Sequence, residues 1–314
     1  MVHFISRRLI QTIIVIFVVT VITFLLIQLT PGDPAVNMLG VNAPKEQIEA
    51  LRRELWLDRP VYIQYGHWLF NVLHGDLGRS LTFRENVTDL VARRLPITAY
   101  LAFLALILGT FIGITVGIFS AIRRGTILDS VITLFANIGV AVPVFWLGII
   151  LIYFLGLKLD WLPIQGYTSP FTDFWKSSAQ LVIPVICLAT PGLAVIARQT
   201  RSSMLEVVGQ EYIRTAMAKG LRERVVVLKH ALKNALIPVV TLLGLQVRVF
   251  IGFSVLVETV SNIPGMGRLL VTAAFNKDFL VVQAGVLILG LVVCLVNLAV
   301  DVSYSWLDPR IRYE

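Results

Sequence analysis

Residues 97–122 read ITAYLAFLALILGTFIGITVGIFSAI, a run of 26 residues without one charged side chain. As a helix rising 1.5 Å per residue it reaches about 39 Å, more than the roughly 30 Å of a bilayer's hydrocarbon layer. Arg123 and Arg124 follow it at once. Five further predominantly apolar runs are Leu9–Leu29, Val131–Leu157, Leu181–Ala197, Leu236–Val257 and Val281–Val300. The whole chain of 314 residues is 57% hydrophobic and 15% charged, with mean hydropathy +0.81. A soluble domain carries roughly a quarter charged residues, spread more evenly. The sequence therefore predicts an all-α integral membrane protein with six transmembrane helices.

Two of these runs carry interruptions. Pro184 and Pro191 lie in the fourth and Arg248 in the fifth, features tolerated where neighbouring helices or a cavity satisfy the freed backbone or the charge. The first run exceeds the usual 7–15 apolar residues of a signal peptide, and no small-x-small cleavage site follows, so a retained anchor is expected.

Basic residues set the orientation. With the N-terminus inside, Arg7, Arg8, Arg123, Arg124, eight residues of the segment 198–234, Arg310 and Arg312 give 14 inside positives. The short outer loops hold four: Lys158, Lys176, Arg268 and Lys277. The positive-inside rule then selects N-in/C-in. The long outer segment 31–95 is discounted; it balances eight basic against eight acidic residues. The formal net charge of +8 comes with no basic run interleaved with aromatics, so the membrane and not nucleic acid accounts for its sign.

Gly109, Gly113 and Gly117 fall at i, i+4 and i+8 and are expected to admit a neighbouring backbone. Cys187 and Cys294 lie in apolar runs and read as small buried side chains. No internal repeat is visible. The chain divides into an N-terminal anchor (1–30), an extracytoplasmic cap (31–95) and a five-helix core (96–314). In the cap, Pro44 opens a helix with Glu46 and Glu49 near its start and Ile48, Leu51 and Leu55 along one face; a second amphipathic stretch runs from Val61 to near Gly75. These helices either dock an extracytoplasmic partner, with Arg52 and Arg59 as candidate contacts, or lie on lipid with Trp56 and Trp68 as anchors.

The segment 198–234 is basic, with eight positive and three negative side chains. It reads as two helices broken at Gly220. The first ends in Glu211-Tyr212-Ile213-Arg214-Thr215-Ala216-Met217-Ala218-Lys219 before its glycine stop. The second, from Leu221 to Leu236, sets Arg222, Lys229 and Lys233 on one face and Val225, Leu228 and Leu232 near another.

The stretch "EYIRTAMAKGL…VLKHALKNALIPVVTLLGLQ" resembles the cytoplasmic coupling loop of permease subunits of ATP-binding-cassette (ABC) importers, in the branch handling peptides and nickel chelates. The resemblance covers nearly the whole chain, through "TPGDP" from Thr30, "GDLGRSL" from Gly75, "RLPITAYLAFLAL" from Arg94, "ETVSNIPGMGRLL" from Glu258, "NKDFLVVQA" from Asn276 and "DPRIRY" from Asp308. It implies a type I importer permease fold in a prokaryotic plasma (inner) membrane. It also implies a homologous second permease, two ATPase subunits binding ATP and magnesium, an extracytoplasmic substrate-binding protein and a peptide substrate. Nickel chelates, glutathione-like peptides and opines fall in the same branch. By position, the helix seated on the ATPase is Glu211–Lys219, with Glu211, Arg214, Thr215, Ala216, Ala218, Lys219 and Gly220 as coupling residues. Arg214-Thr215-Ala216 replaces the usual Glu-Ala-Ala, and Arg248 stands where a small or apolar residue is expected.

No Gly-x-x-x-x-Gly-Lys-Ser/Thr loop occurs, so the chain has no cradle for ATP, and no cofactor of its own is expected. His3, His67, His74 and His230 are scattered, and no hydrolase motif is present, so no enzymatic activity or metal site is expected in this chain. A six-span channel or secondary transporter is the rival from another class, although Arg248 is the lone ionisable residue in mid-span. Twelve residues beyond Leu236, it falls about 18 Å along its helix, near the bilayer midplane. It is expected to face the translocation pathway and meet an anionic group, or to pair with another subunit.

Overall fold

The computed structural model describes residues 2–29, 31–40, 42–222 and 225–307. Thr30, Glu223, Arg224 and the C-terminal stretch with Arg310 and Arg312 lie outside the described residues. Contacts divide the chain into two compact units, Met1–Thr98 with Pro264–Glu314, and Ala99–Ile263.

The first unit contains α1 (Val2–Gln28), three short helices α2 (Pro34–Leu39), α3 (Lys45–Glu54) and α4 (Val61–Leu73), and the opening turns of α5 (Val87–Ile122). It closes with α11 (Met266–Phe275) and α12 (Phe279–Leu307). Its core joins Val87, Leu90 and Val91 of α5 to Met266, Leu269 and Ala273 of α11 and to Val281 and Ala284 of α12. Asp278 starts α12 and is buried; it accepts from Ser80 Oγ at 2.5 Å and from the Thr82 backbone N–H at 3.1 Å. These hydrogen bonds offset the cost of burying a carboxylate and tie the outer segment to the last span.

The cap is anchored to α1. Phe24 is buried against Tyr65 and Trp68, with ring centroids 5.4 and 5.7 Å away. Thr20 Oγ1 lies 2.9 Å from the Tyr65 hydroxyl, and Gln28 Nε2 donates to Gln64 Oε1 at 2.6 Å. Trp68 therefore packs on α1, and Trp56 stacks on His67 at 4.1 Å. The helix α2 is an addition to the two cap helices expected from sequence. Asp33 caps it, accepting from the Ala35 N–H at 3.0 Å.

The second unit holds the rest of α5, then α6 (Ile127–Ala141), α7 (Val144–Leu151, continued by a π turn Ile152–Lys158), α8 (Phe174–Val208), α9 (Glu211–Ala218) and α10 (Leu232–Val260). The glycine face of α5 receives α8 as its spacing predicts. A Cβ at Gly113 would lie 2.9 Å from Ile196 Cβ, and one at Gly117 would lie 2.6 Å from the Ala197 carbonyl oxygen. Both prolines of the fourth run are accommodated inside α8, which extends to Val208 and so includes the start of the basic segment.

The third run differs from its expectation as one straight helix. It bends by 106° between Ile127–Ala141 and Val144–Lys158. Pro143 at the break lacks the N–H that would continue α6, and starts α7 instead. Among the described residues, five other helices are long and apolar enough to cross a membrane. Charge decides what the bent pair does. Arg123 and Arg124 precede it, and the basic segment follows one further helix, α8. Both basic sites lie inside if the pair crosses as one broken span, giving six spans.

Candidate functional site

The helix α9 begins with Glu211 in its first turn, where a negative charge suits the helix dipole, and stops at Gly220. Gly220 has φ +78°, and a Cβ there would meet nothing within 4 Å, so the left-handed conformation alone favours glycine.

The two faces of α9 differ. Ile213 and Ala216, one turn apart, are buried in a cluster with Ala121 of α5, Met204 of α8, Val226, Val227 and Ala231 of the π turn, and Ala235 of α10. Glu211, Tyr212, Arg214, Thr215, Met217, Ala218, Lys219 and Gly220 are exposed. Asn234 Nδ2 donates to the Tyr212 hydroxyl at 2.7 Å and fastens the helix to the start of α10. Glu211 and Arg214 form a surface ion pair at 3.0 Å. Of the seven residues assigned to coupling by resemblance, six thus point away from the chain and Ala216 points into it.

The separate second loop helix is replaced by a continuous path. A π turn at Val226–Ala231 runs directly into α10 through Pro238. Its wider winding shifts the register that a 3.6-residue count assumes. Val226, Val227 and Ala231 are consequently the buried residues, while Val225 and Leu228 are exposed.

Beside this loop stands Asp129, which sequence reasoning passed over. It is 6% exposed and accepts from Arg201 Nε and Nη2, both at 2.8 Å, from the Gly125 N–H at 3.0 Å and from Ser120 Oγ. One carboxylate therefore clamps α5, α6 and α8 near their cytoplasmic ends. The available signal was an acid in the first turn after Thr126, the N-cap of α6, in an otherwise basic loop.

Arg248 projects from a face of α10 that the chain leaves uncovered, together with Leu245, Gly252, Leu256 and Thr259. The opposite face is buried through Gln246 and Phe250, whose ring packs on Gly192 of α8. In the cap, Arg52 pairs with Asp33 and holds its carboxyl below the usual carboxylate range, against the opposing effect of burial. Arg59 lies 3.5 Å from Asp58 and is more exposed.

Two family descriptions match the chain. Residues 113–313 match "binding-protein-dependent transport system inner membrane component", and residues 1–102 match the N-terminal part of such membrane components. The chain is 42% identical over 310 residues to a probable peptide ABC transporter permease protein of Sinorhizobium fredii, covering 99% of each. It is 40% identical over 338 residues to the dipeptide transport system permease protein of Escherichia coli K12 and 40% identical over 314 residues to a glutathione transport system permease protein of Escherichia coli, in both cases covering 100% of each chain. Among solved structures, a chain of the inward-facing MetNI methionine ABC transporter matches with TM-score 0.54 and 21% identity, over 70% of this chain and 96% of that one. That likeness supports the fold.

Proposed function

The chain belongs to the binding-protein-dependent transport system inner membrane component family, and from that membership we propose that it forms half of a translocation pathway for di- or oligopeptides. It is a multi-pass inner-membrane permease of an ABC importer, and ATPase activity resides in separate subunits. In the proposed assembly a homologous permease supplies the other half of the pathway, two ATPase subunits sit in the cytoplasm, and a substrate-binding protein delivers peptide to the outer face, where the cap 31–95 receives it. The peptide assignment is supported by the names of the full-length relatives. A glutathione transport system permease, 40% identical to this chain, supports a short peptide as the substrate as well.

The observation that carries coupling is the two-sidedness of α9. A helix of eight residues is too short to hold its shape alone in water. Here Ile213 and Ala216 seat it among α8, the π turn and α10, so a push on its outer face moves the cytoplasmic ends of two spans with it. We assign Glu211, Arg214, Thr215, Ala218 and Lys219 to the ATPase contact, Ala216 to the close seat, and Gly220 to the turn. Ala218→Arg, on the exposed side, is the clean test because it leaves the inner cluster untouched. Its expected outcome is at least tenfold less ATPase subunit co-purified with a normally inserted permease. Full recovery of the ATPases with that variant would refute the assignment.

Arg248 is read as a pathway residue. An Arg at the bilayer midplane costs roughly 2.5–3.5 kcal/mol on insertion scales, which an aqueous pathway or an anionic partner offsets. Its place on the uncovered face of α10 supports contact with water, the second permease or a passing carboxylate.

A further inference from the structure

In the first unit a cavity of about 180 Å³ lies where the cap helices α3 and α4 meet α1 and α12. Its walls are largely apolar, with Phe24 of α1, Leu55 and Leu57 after α3, Trp68 of α4 and Leu280 of α12. Most of the polar side chains that line it satisfy one another or the backbone. Gln28 Nε2 donates to Gln64 Oε1 at 2.6 Å, Gln64 Nε2 donates to the Arg59 carbonyl oxygen at 2.7 Å, and Asn71 Nδ2 lies 3.2 Å from His67 Nε2. Gln283 of α12 is the exception. It is 1% exposed, and its Nε2 has no hydrogen-bond partner among the described residues. Glu54, Asp76 and Arg79 line the cavity from its exposed rim. Among the described residues none of the three has an ion pair; Asp76 accepts from the Gly78 N–H at 2.9 Å, and Arg79 Nη2 reaches the Arg84 carbonyl oxygen at 3.4 Å.

A donor buried without a partner destabilises a fold unless an acceptor reaches it, and the cavity gives an acceptor access to Gln283. Both signs of charge stand at the rim, which suits a ligand that carries both, because carboxylates accept from an ammonium and a guanidinium donates to a carboxylate. Glu54, His67 and Asp76 do not converge as metal ligands, since no such group of three is present among the described residues. Size limits the ligand further. A cavity that binds benzene measures about 150 Å³ and ordinary ligand clefts about 300–1,000 Å³, so this one admits a single amino acid and excludes a peptide. Its aliphatic and aromatic walls favour an apolar side chain. We propose that the cavity binds one free apolar α-amino acid, with the ligand carboxylate accepting from Gln283 Nε2 beside the Arg79 charge, the ammonium held by Glu54 and Asp76, and the side chain packed on the apolar walls. This is a ligand site additional to the one for transported peptide, and it does not depend on the peptide reading.

The test uses the assembled transporter in phosphatidylcholine nanodiscs, without binding protein, and labelled leucine as the probe. The wild type should bind leucine saturably at one site per copy of this chain, and should bind N-acetyl-leucine and leucinamide at least about tenfold more weakly, because each lacks one of the two charges. Glu54→Gln and Gln283→Leu should each weaken leucine binding about tenfold. Gln283→Leu should do so without lowering the melting temperature of the ligand-free transporter, since it removes an unpaired buried donor and keeps an apolar side chain of similar size. Glu54 is exposed, so its change leaves the packing of the unit intact. Absence of saturable leucine binding by the wild type overturns the site. Wild-type affinity in both variants also overturns it, by placing the bound leucine elsewhere. Equal binding of leucine and N-acetyl-leucine overturns the part given to Glu54 and Asp76. Phosphatidylethanolamine that co-purifies with the wild type and is lost from Gln283→Leu, with no leucine bound, overturns the proposal in favour of a lipid headgroup. None of these results bears on peptide transport, which is read separately from ATP-driven uptake.

Discussion

Arg248 and the glycines of α5 show what single residues contribute. Arg248 lies between Gly244 and Gly252 at i−4 and i+4, so no acid on its own helix neutralises it. If it meets substrate carboxylates, Arg248→Gln should reduce uptake of free peptides about tenfold or more while sparing C-terminally amidated ones and leaving the assembly intact. Loss of the second permease from the purified complex would instead assign Arg248 to assembly. Equal uptake of both peptide forms by variant and wild type would remove both readings. The glycines were legible in sequence because their spacing is a local property of one helix, and the approach of α8 at Gly113 and Gly117 follows from it. Asp129 was not legible, because the residue that holds it, Arg201, is 72 positions away and no local pattern links them.

At the scale of elements, the lengths and characters of α1, α5 and α12 follow from uninterrupted apolar runs, whereas bends do not. The break at Pro143 was hidden in the evenly apolar run Val131–Leu157, although a residue without a backbone donor marked the place. The π turn before α10 escaped for a related reason: hydrophobic counting presumes an α-helical period. Asp129 is where three of these elements meet, and its removal is the element-scale prediction. Asp129→Asn keeps the size and one acceptor but leaves Arg201, two-thirds buried at its side chain, without its carboxylate. Breaking a buried pair costs about 3–5 kcal/mol, and the partial exposure of Arg201 places this one near the lower figure. Thermal unfolding of the detergent-purified permease should move down by several degrees, and cross-links between α6 and α8 should lose their single distance. An unshifted melting temperature would show that the clamp is dispensable.

At the scale of the whole molecule, the surface is apolar along the spans, with Ile10, Ile13 and Phe17 of α1 and Phe103, Ile107 and Phe111 of α5 all exposed in the single chain. Such a surface requires lipid or further subunits. Charge distribution orients it with both termini inside, which puts the basic segment 198–234 beside the cytoplasm and the segment 31–95 outside. An importer needs these two faces to be coupled, and a channel does not. The most direct measurement is uptake of a labelled dipeptide into proteoliposomes holding this chain, its partner permease and both ATPases, with the binding protein added outside and ATP trapped within. The account predicts accumulation against a gradient that stops without ATP and falls to background with Ala218→Arg. Downhill peptide flux through this chain without ATPase subunits, or accumulation undiminished by Ala218→Arg, would contradict it.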